Sequence, residues 1–178
     1  GSANGDTLDI GNVTGTNALA SLSAASSTAT GTVVVGTVAD ADALTSVTLD
    51  ASLADADIGQ IGTDATANNA ELLETVTVSA SGVGVTATMG AIFADSTVDS
   101  TSDLDMTVTA TSASGATVAM GAIDNTFGSI TGTYATTGTT TQAALTAASM
   151  TLTKTGSGDA TFANFNSSGA VSLTASGS

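Results

Sequence analysis

The sequence has no cysteine, histidine, tryptophan or proline, and Lys154 is its single basic residue against 16 acidic ones. One positive charge cannot replace the counterions of a nucleic acid backbone or hold an anionic membrane surface, so both are excluded as partners. Without cysteine there is no disulfide, thiolate nucleophile or zinc–thiolate centre. Without histidine the ordinary base of neutral-pH catalysis is missing as well. Only paired carboxylates remain as catalytic groups, so we expect a protein that is not an enzyme.

Small residues dominate what is present: Ala, Thr, Ser and Gly supply 110 of the 178 residues. Leu, Ile, Val and Phe together supply 36 of the 178 residues, a fraction close to the limit below which chains are disordered. Composition alone therefore does not predict a folded chain, and the order of the residues has to be considered. The pattern is a period-2 alternation of apolar and hydroxyl residues, as in Val76–Ser79 and Met106–Thr109. It predicts strands with one apolar face and one hydroxyl face, separated by turn-forming residues.

The alternation recurs in a larger repeat. Residues 76–92 read VTVSASGVGVTATMGAI and residues 106–123 read MTVTATSASGATVAMGAI, and Met89 and Met120 begin the shared MGAI ending of the two copies. We draw three strands in the better copy and predict that the interval from Met89 to Met120 makes one coil of a short parallel β-solenoid. The predicted strands are Leu104–Thr111, Ala116–Ile123 and Ser129–Ala135.

The alternative all-β fold is an antiparallel β-sandwich, because short alternating strands at regular spacing are typical of that fold too. A looser third copy, MTLTKTGSGDATFANF at residues 150–165, begins later than a strict repeat requires, so in the solenoid the residues between Thr136 and Ala148 are expected to leave the body as a loop. Residues 1–32 are expected to form an N-terminal arm or first coil that docks on a neighbour. Residues 33–178 are expected to form a single β domain.

Acidic residues are the chain's most reactive groups, and several of them recur in Asp-x-Asp pairs. Carboxylates at i and i+2 lie on one face of a strand and converge in a loop, and calcium takes six to eight such oxygen ligands. The alternative is that these aspartates are solvated surface residues that keep a chain of positive mean hydropathy soluble. The predicted calcium ligands in these pairs are Asp40, Asp42, Asp55, Asp57, Asp103 and Asp105.

The segment Gly5–Ile10 (GDTLDI) resembles half of an RTX-type nonapeptide, in which aspartates and glycine-loop carbonyls bind calcium between the coils of a β-roll. Gly5, Asp6 and Leu8 carry the resemblance, which implies Asp6 as a further calcium ligand. In its composition the whole chain is similar to bacterial surface-layer proteins and large repeat adhesins. This second resemblance implies calcium-assisted self-assembly at the cell surface.

We therefore expect a structural subunit or segment of a self-assembling extracellular layer, sheath or filament. Unpaired strand edges would associate with further copies of the chain, and Val171–Thr174 or the N-terminal arm could donate a strand to a neighbour. The phenylalanines are expected to fill the core or to plug a contact between subunits. The alternative function is a binding module, either an adhesin domain or an ice-binding face, which a regular array of threonines would favour. Threonine spacing is uneven between the repeats.

Overall fold

The fold consists of short β-strands, and a computed structural model describes it for residues 7–14, 18–39, 41–63, 70–94 and 105–177. None of these residues lies in a helix, so this part of the chain has no helix that could cross a membrane. The strands are β1 (Leu8–Asp9), β2 (Ser21–Ser26), β3 (Val33–Val35), β4 (Ser46–Ala51), β5 (Ala56–Ile58), β6 (Thr75–Ala80), β7 (Thr86–Met89), β8 (Ile92–Phe93), β9 (Met106–Ser112), β10 (Thr117–Met120), β11 (Ile123–Thr136), β12 (Thr139–Gln142), β13 (Leu145–Thr155), β14 (Asp159–Phe162), β15 (Phe165–Ser167) and β16 (Val171–Ala175).

All strand pairs among the described residues are parallel, and each strand pairs with strands one coil away. Parallel pairing at every step requires a crossover between neighbours, and here each crossover is the rest of one coil. The fold is therefore a parallel β-solenoid, as the repeat predicted, and the antiparallel sandwich is wrong. β1 and β2, which lie within residues 1–32, pair with β3 and β4 of the next coil.

Each coil has three sides. Side 1 contains β2, β4, β6, β9, the second half of β11, the second half of β13, and β16. Side 2 contains β1, β3, β5, β7, β10, β12 and β14. Side 3 is narrower, and one residue from each coil forms a continuous column of bridges along it: Val13, Val38, Ile61, Ile92, Ile123, Leu145 and Phe165.

The coils differ in length, and the side 3 column shows how. The longest steps along it run from Ile61 to Ile92 and from Ile92 to Ile123, and the shortest runs from Leu145 to Phe165. Because every coil builds the same three sides, the two long coils carry extra residues between side 3 and side 1. The repeat that is clearest in the sequence therefore spans a long coil, and a shorter coil is enough to complete the three sides.

The expected loop at Thr136–Ala148 is wrong, because these residues form β12 and the start of β13. A complete coil lies between the second and third sequence copies: Ile130 of β11 pairs with Met106 on one side and with Met150 on the other. The third copy therefore begins late because one coil with a weaker sequence signal precedes it, and no segment has to leave the body.

The corner between sides 2 and 3 has a sequence signature, a core-facing residue followed by glycine, any residue and a second core-facing residue. It reads VGTV at 35–38, IGQI at 58–61 and MGAI at both 89–92 and 120–123. The glycines stack on one another: a Cβ on Gly121 would lie 2.5 Å from the carbonyl carbon of Gly90, and one on Gly90 would lie 2.7 Å from that of Gly59. Any side chain at these positions would collide with main chain of the preceding coil.

The interior is filled by columns of small and medium apolar side chains, with one large exception. Tyr134 is fully buried, and Gly132 on the same strand leaves room for its ring. The Tyr134 hydroxyl lies 3.3 Å from Oε1 of Gln142, whose Nε2 donates to the carbonyl of Gly121 at 2.7 Å. Because this hydroxyl is desolvated, the pKa of Tyr134 is raised above its ordinary value. The ring also packs edge-on against Phe162 with centroids 4.7 Å apart.

Candidate functional site

The predicted calcium ligands are spread along the solenoid. Asp6, Asp40 and Asp103 lie outside the described residues. Asp42 is exposed in the turn that a hydrogen bond from the Leu44 amide to the Ala41 carbonyl closes. Two of the three Asp-x-Asp pairs therefore have only one described member each.

Asp55 and Asp57 are the pair that the structure describes completely. Asp57 lies in β5 and Asp55 directly precedes it, and both side chains point outwards on side 2, because Ala56 and Ile58 between and after them are buried. Oδ1 of Asp55 accepts a hydrogen bond of 2.7 Å from the main-chain N–H of Thr86 in the next coil. Partial burial raises the pKa of Asp57, because desolvation disfavours its charged form.

Asp105 also bonds to the next coil. Its Oδ1 accepts the Ser129 hydroxyl at 2.7 Å and the Ser129 main-chain N–H at 3.1 Å. These two hydrogen bonds favour the charged carboxylate and lower the pKa of Asp105. Asp50, which sequence reasoning did not select, accepts a hydrogen bond of 2.8 Å from Ser79 in the same way.

Three of the described carboxylates thus accept hydrogen bonds that join neighbouring coils, whereas Asp9 and Asp124 accept hydrogen bonds from residues of their own coil. Asp55, Asp105 and Asp50 each bond to a residue one coil later, 31, 24 and 29 positions along the chain. Among the described residues no group of three or more acidic side chains could hold a metal ion. In each case the donor is the residue that strand register places beside the aspartate in the next coil. Matching register positions between coils is therefore the signal that would have identified these contacts.

The C-terminal end of the solenoid, by contrast, leaves core-facing side chains uncovered. Leu173 continues an interior column in which Val108 is fully buried and Leu152 is 3 % exposed, yet Leu173 is itself 58 % exposed. Phe165, the last member of the side 3 column, is 38 % exposed. A cavity of about 270 Å³, open to solvent, lies between these residues and Phe162. The cavity continues the interior of the solenoid beyond its last complete coil.

The N-terminal coil shows the same feature. Ile10 follows the Asp9–Val34 pair, so it belongs to the interior column of Val35, which is 1 % exposed; Ile10 is 53 % exposed. Val13 and Leu22, the first described members of two other columns, are half-buried. Both ends of the described solenoid therefore present apolar side chains together with unpaired strand edges.

Comparisons with protein-family models, with curated proteins and with solved structures found no match to this chain. The geometry of the chain itself therefore carries the functional argument.

Proposed function

We propose that this chain is a structural segment of a self-assembling extracellular layer, sheath or filament, in which copies join head to tail along the solenoid axis. The observation that carries the proposal is the apolar surface of the last described coil, where Leu173 occupies a core position and is 58 % exposed, so that this coil can accept another coil on top of it. A second copy of the chain would cover this coil with its own first coil. Such a head-to-tail contact is heterologous and does not close, so repetition gives a filament.

The two ends match in the positions of their interior columns. Placing the first coil of one copy on the last coil of another would continue three columns in the parallel direction of the chain's own strands. Each half-exposed apolar side chain that is covered contributes about 1 kcal/mol, and the terminal strands gain main-chain hydrogen bonds. The contacts would be Ile10 on Phe162, Val13 on Phe165 and Leu22 on Leu173.

Charge is the obstacle to this assembly, since each copy carries a formal charge of -15. The junction would bring β1, with the exposed Asp9, beside β14, with the exposed Asp159. Repulsion between such groups is relieved by salt or by a divalent cation that the carboxylates bind. Calcium therefore belongs to the proposal as an ion that bridges copies, with Asp55 and Asp57 as a second place for it to bind.

The test is the state of assembly of the purified chain, measured by analytical ultracentrifugation and negative-stain microscopy with millimolar calcium and with a chelator. Wild-type chain is expected to form filaments with calcium and to disperse in chelator. Leu173→Asp is expected to stay monomeric in both, because a carboxylate placed among apolar side chains costs several kcal/mol.

The matched control is Leu53→Asp. Leu53 is 54 % exposed, so its exposure and the charge introduced are closely similar, but it lies between β4 and β5 in the second coil, outside the two coils that would meet at the junction. This variant is expected to assemble as the wild type does. A wild-type chain that remains monomeric at high concentration in calcium, or a Leu53→Asp variant that fails as Leu173→Asp does, would contradict the proposal.

A further inference from the structure

Side 1 presents threonines in a two-dimensional array. Four adjacent strands, β6, β9, β11 and β13, each place two threonines on the outer face at positions i and i+2. Strand register puts them directly beside one another, so that they form two rows of four. We call these eight residues the threonine block: Thr75, Thr77, Thr107, Thr109, Thr131, Thr133, Thr151 and Thr153.

The two rows continue beyond the threonine block to both ends of side 1. β2, β4 and β16 contribute only serine or threonine at the same register positions, so all fourteen positions on seven strands carry a hydroxyl. Nine of the fourteen residues are exposed and five are half-buried. The six residues that extend the rows are Ser21, Ser23, Ser46, Thr48, Ser172 and Thr174.

This regularity is a property of side 1 and not of every outer face. On side 2 the equivalent rows mix threonine with charged and apolar residues, among them Asp55, Asp57, Val34 and Asp159. Both sides are parallel sheets of the same coils and need the same strand propensity and solubility. In a chain with 16 acidic residues, the two rows of side 1 contain no charge. Asp50 and Asp105 flank the two rows on the outer face, but the rows themselves carry no charge and so suit a ligand surface that is uncharged and regular.

The spacing of the threonine block identifies that surface. Neighbouring strands lie about 4.8 Å apart, and residues i and i+2 of one strand lie about 6.7 Å apart, so the fourteen hydroxyls form a grid about 29 Å long. Both spacings are close to the repeat distances of the oxygen lattice on a prism face of hexagonal ice. Ice is uncharged, and its surface offers hydrogen-bond donors and acceptors at this repeat.

We propose that the threonine block is an ice-binding surface, an activity separate from head-to-tail assembly. Threonine suits this role because its χ1 is restricted by the branched Cβ, which holds each hydroxyl and methyl group in a fixed position. The hydroxyls hydrogen-bond to lattice water, and the methyl groups between them order further water against the sheet. The side chains are set before binding, so little conformational entropy is lost.

The experiment measures how much of the fluorescently labelled chain is incorporated into slowly growing ice, with a labelled protein that does not bind ice as the reference. It uses the Leu173→Asp background, so that the result does not depend on filament formation. The parent is expected to enter the ice and to inhibit ice recrystallisation. Thr109→Tyr and Thr133→Tyr, at the centre of the threonine block, are expected to lose both activities, because one bulky ring holds the lattice away from neighbouring threonines.

Matched controls lie on the outer face of side 2. Thr88→Tyr and Thr141→Tyr make the same substitution on strands of the same coils and are expected to keep both activities. Circular dichroism and melting temperatures confirm that each variant is folded. Exclusion of the parent from ice, or an equal loss in side 1 and side 2 variants, would overturn the proposal. Because the background cannot stack, such a failure leaves the assembly proposal untouched.

Discussion

The stacked glycines at the corner between sides 2 and 3 give a sharp prediction for Gly121→Ala. A Cβ at Gly121 would lie 2.5 Å from the carbonyl carbon of Gly90, 2.6 Å from the amide nitrogen of Ala91 and 2.7 Å from the Gly90 oxygen. All three atoms are main chain, so no side chain can rotate away to make room. The two coils must separate at this corner, where the Gly121 amide donates to the Met89 carbonyl at 2.7 Å.

The size of the effect is the difference between two terms. Overpacking of this kind costs about 1–3 kcal/mol, and replacing a glycine by alanine returns about 0.4–1 kcal/mol, because alanine has less backbone entropy in the unfolded chain. We expect a net loss of about 1–2 kcal/mol in the free energy of unfolding. For a chain of this size that lowers the melting temperature by about 2–8 °C.

The assay is urea unfolding followed by circular dichroism, together with hydrogen exchange of the corner amides. The matched control is Ala122→Ser, which also adds one heavy atom at the next, half-exposed residue and is expected to change stability by less than about 0.5 kcal/mol. Ala143 occupies the equivalent corner position one coil later, so that corner does accommodate a methyl group. Equal stability of Gly121→Ala and Ala122→Ser would show that every corner relaxes in this way, and the steric reasoning would be wrong.

Three further predictions concern single polar groups. Tyr134→Phe removes the hydroxyl beside Gln142 and leaves the Gln142 Oε1 without that donor, so calorimetry should show a loss of about 1–2 kcal/mol. The pKa of Asp105 is lowered, so its charged form adds to the free energy of unfolding above the ordinary aspartate pKa, and this addition is lost as pH falls through the lowered value. Asp105→Asn should remove this part of the acid destabilisation. Because the group is exposed, the effect is below about 1 kcal/mol. The pKa of Asp57 is raised, so its charged form opposes folding above the raised value, and Asp57→Asn should increase the free energy of unfolding at neutral pH. Unfolding curves at pH 7 and pH 3 measure this change for both variants. A pH-dependent change in the free energy of unfolding with the same sign in Asp57→Asn and Asp105→Asn would contradict the assignment.

The strands were predictable because each one carries its own signal. Val76–Ser79 and Met106–Thr109 alternate strictly, and in the structure their apolar residues are buried while their hydroxyl residues face outwards. Coil length was less predictable, because the two clearest copies are the two coils with insertions. The corner signature is the better guide for five coils, since the IGNV of residues 10–13 falls at the same corner as MGAI, whereas the QAAL of residues 142–145 and the FANF of residues 162–165 occupy that corner without its glycine.

The contacts of the acidic residues were much less predictable. Asp105 and Ser129 are 24 residues apart, whereas Asp55 and Thr86 are 31 apart, so no fixed spacing joins aspartates to their partners. The partner is set by register, which depends on the length of every corner between the two residues. Sequence reasoning therefore selected Asp55, Asp57 and Asp105 as predicted calcium ligands in Asp-x-Asp pairs and missed the hydrogen-bond donors beside Asp55 and Asp105.

The threonine block illustrates the same point, and it also shows how such an array can be found. Its second row contains Thr77, Thr109, Thr133 and Thr153, whose intervals shorten along the chain and for that reason look irregular in sequence. Counted back from the next corner, which begins at Met89, Met120, Gln142 and Phe162 respectively, the distances are 12, 11, 9 and 9 residues. They vary less than the intervals between the threonines, because the long insertions lie on the other side of side 1. Alternation then fixes which residue points outwards, since a slip by one would place Val78 in water and a threonine in the core. The corner positions and strand alternation thus indicate which residues of each coil point outwards, strand register brings them into two rows, and insertions at the one remaining corner leave the grid on side 1 intact.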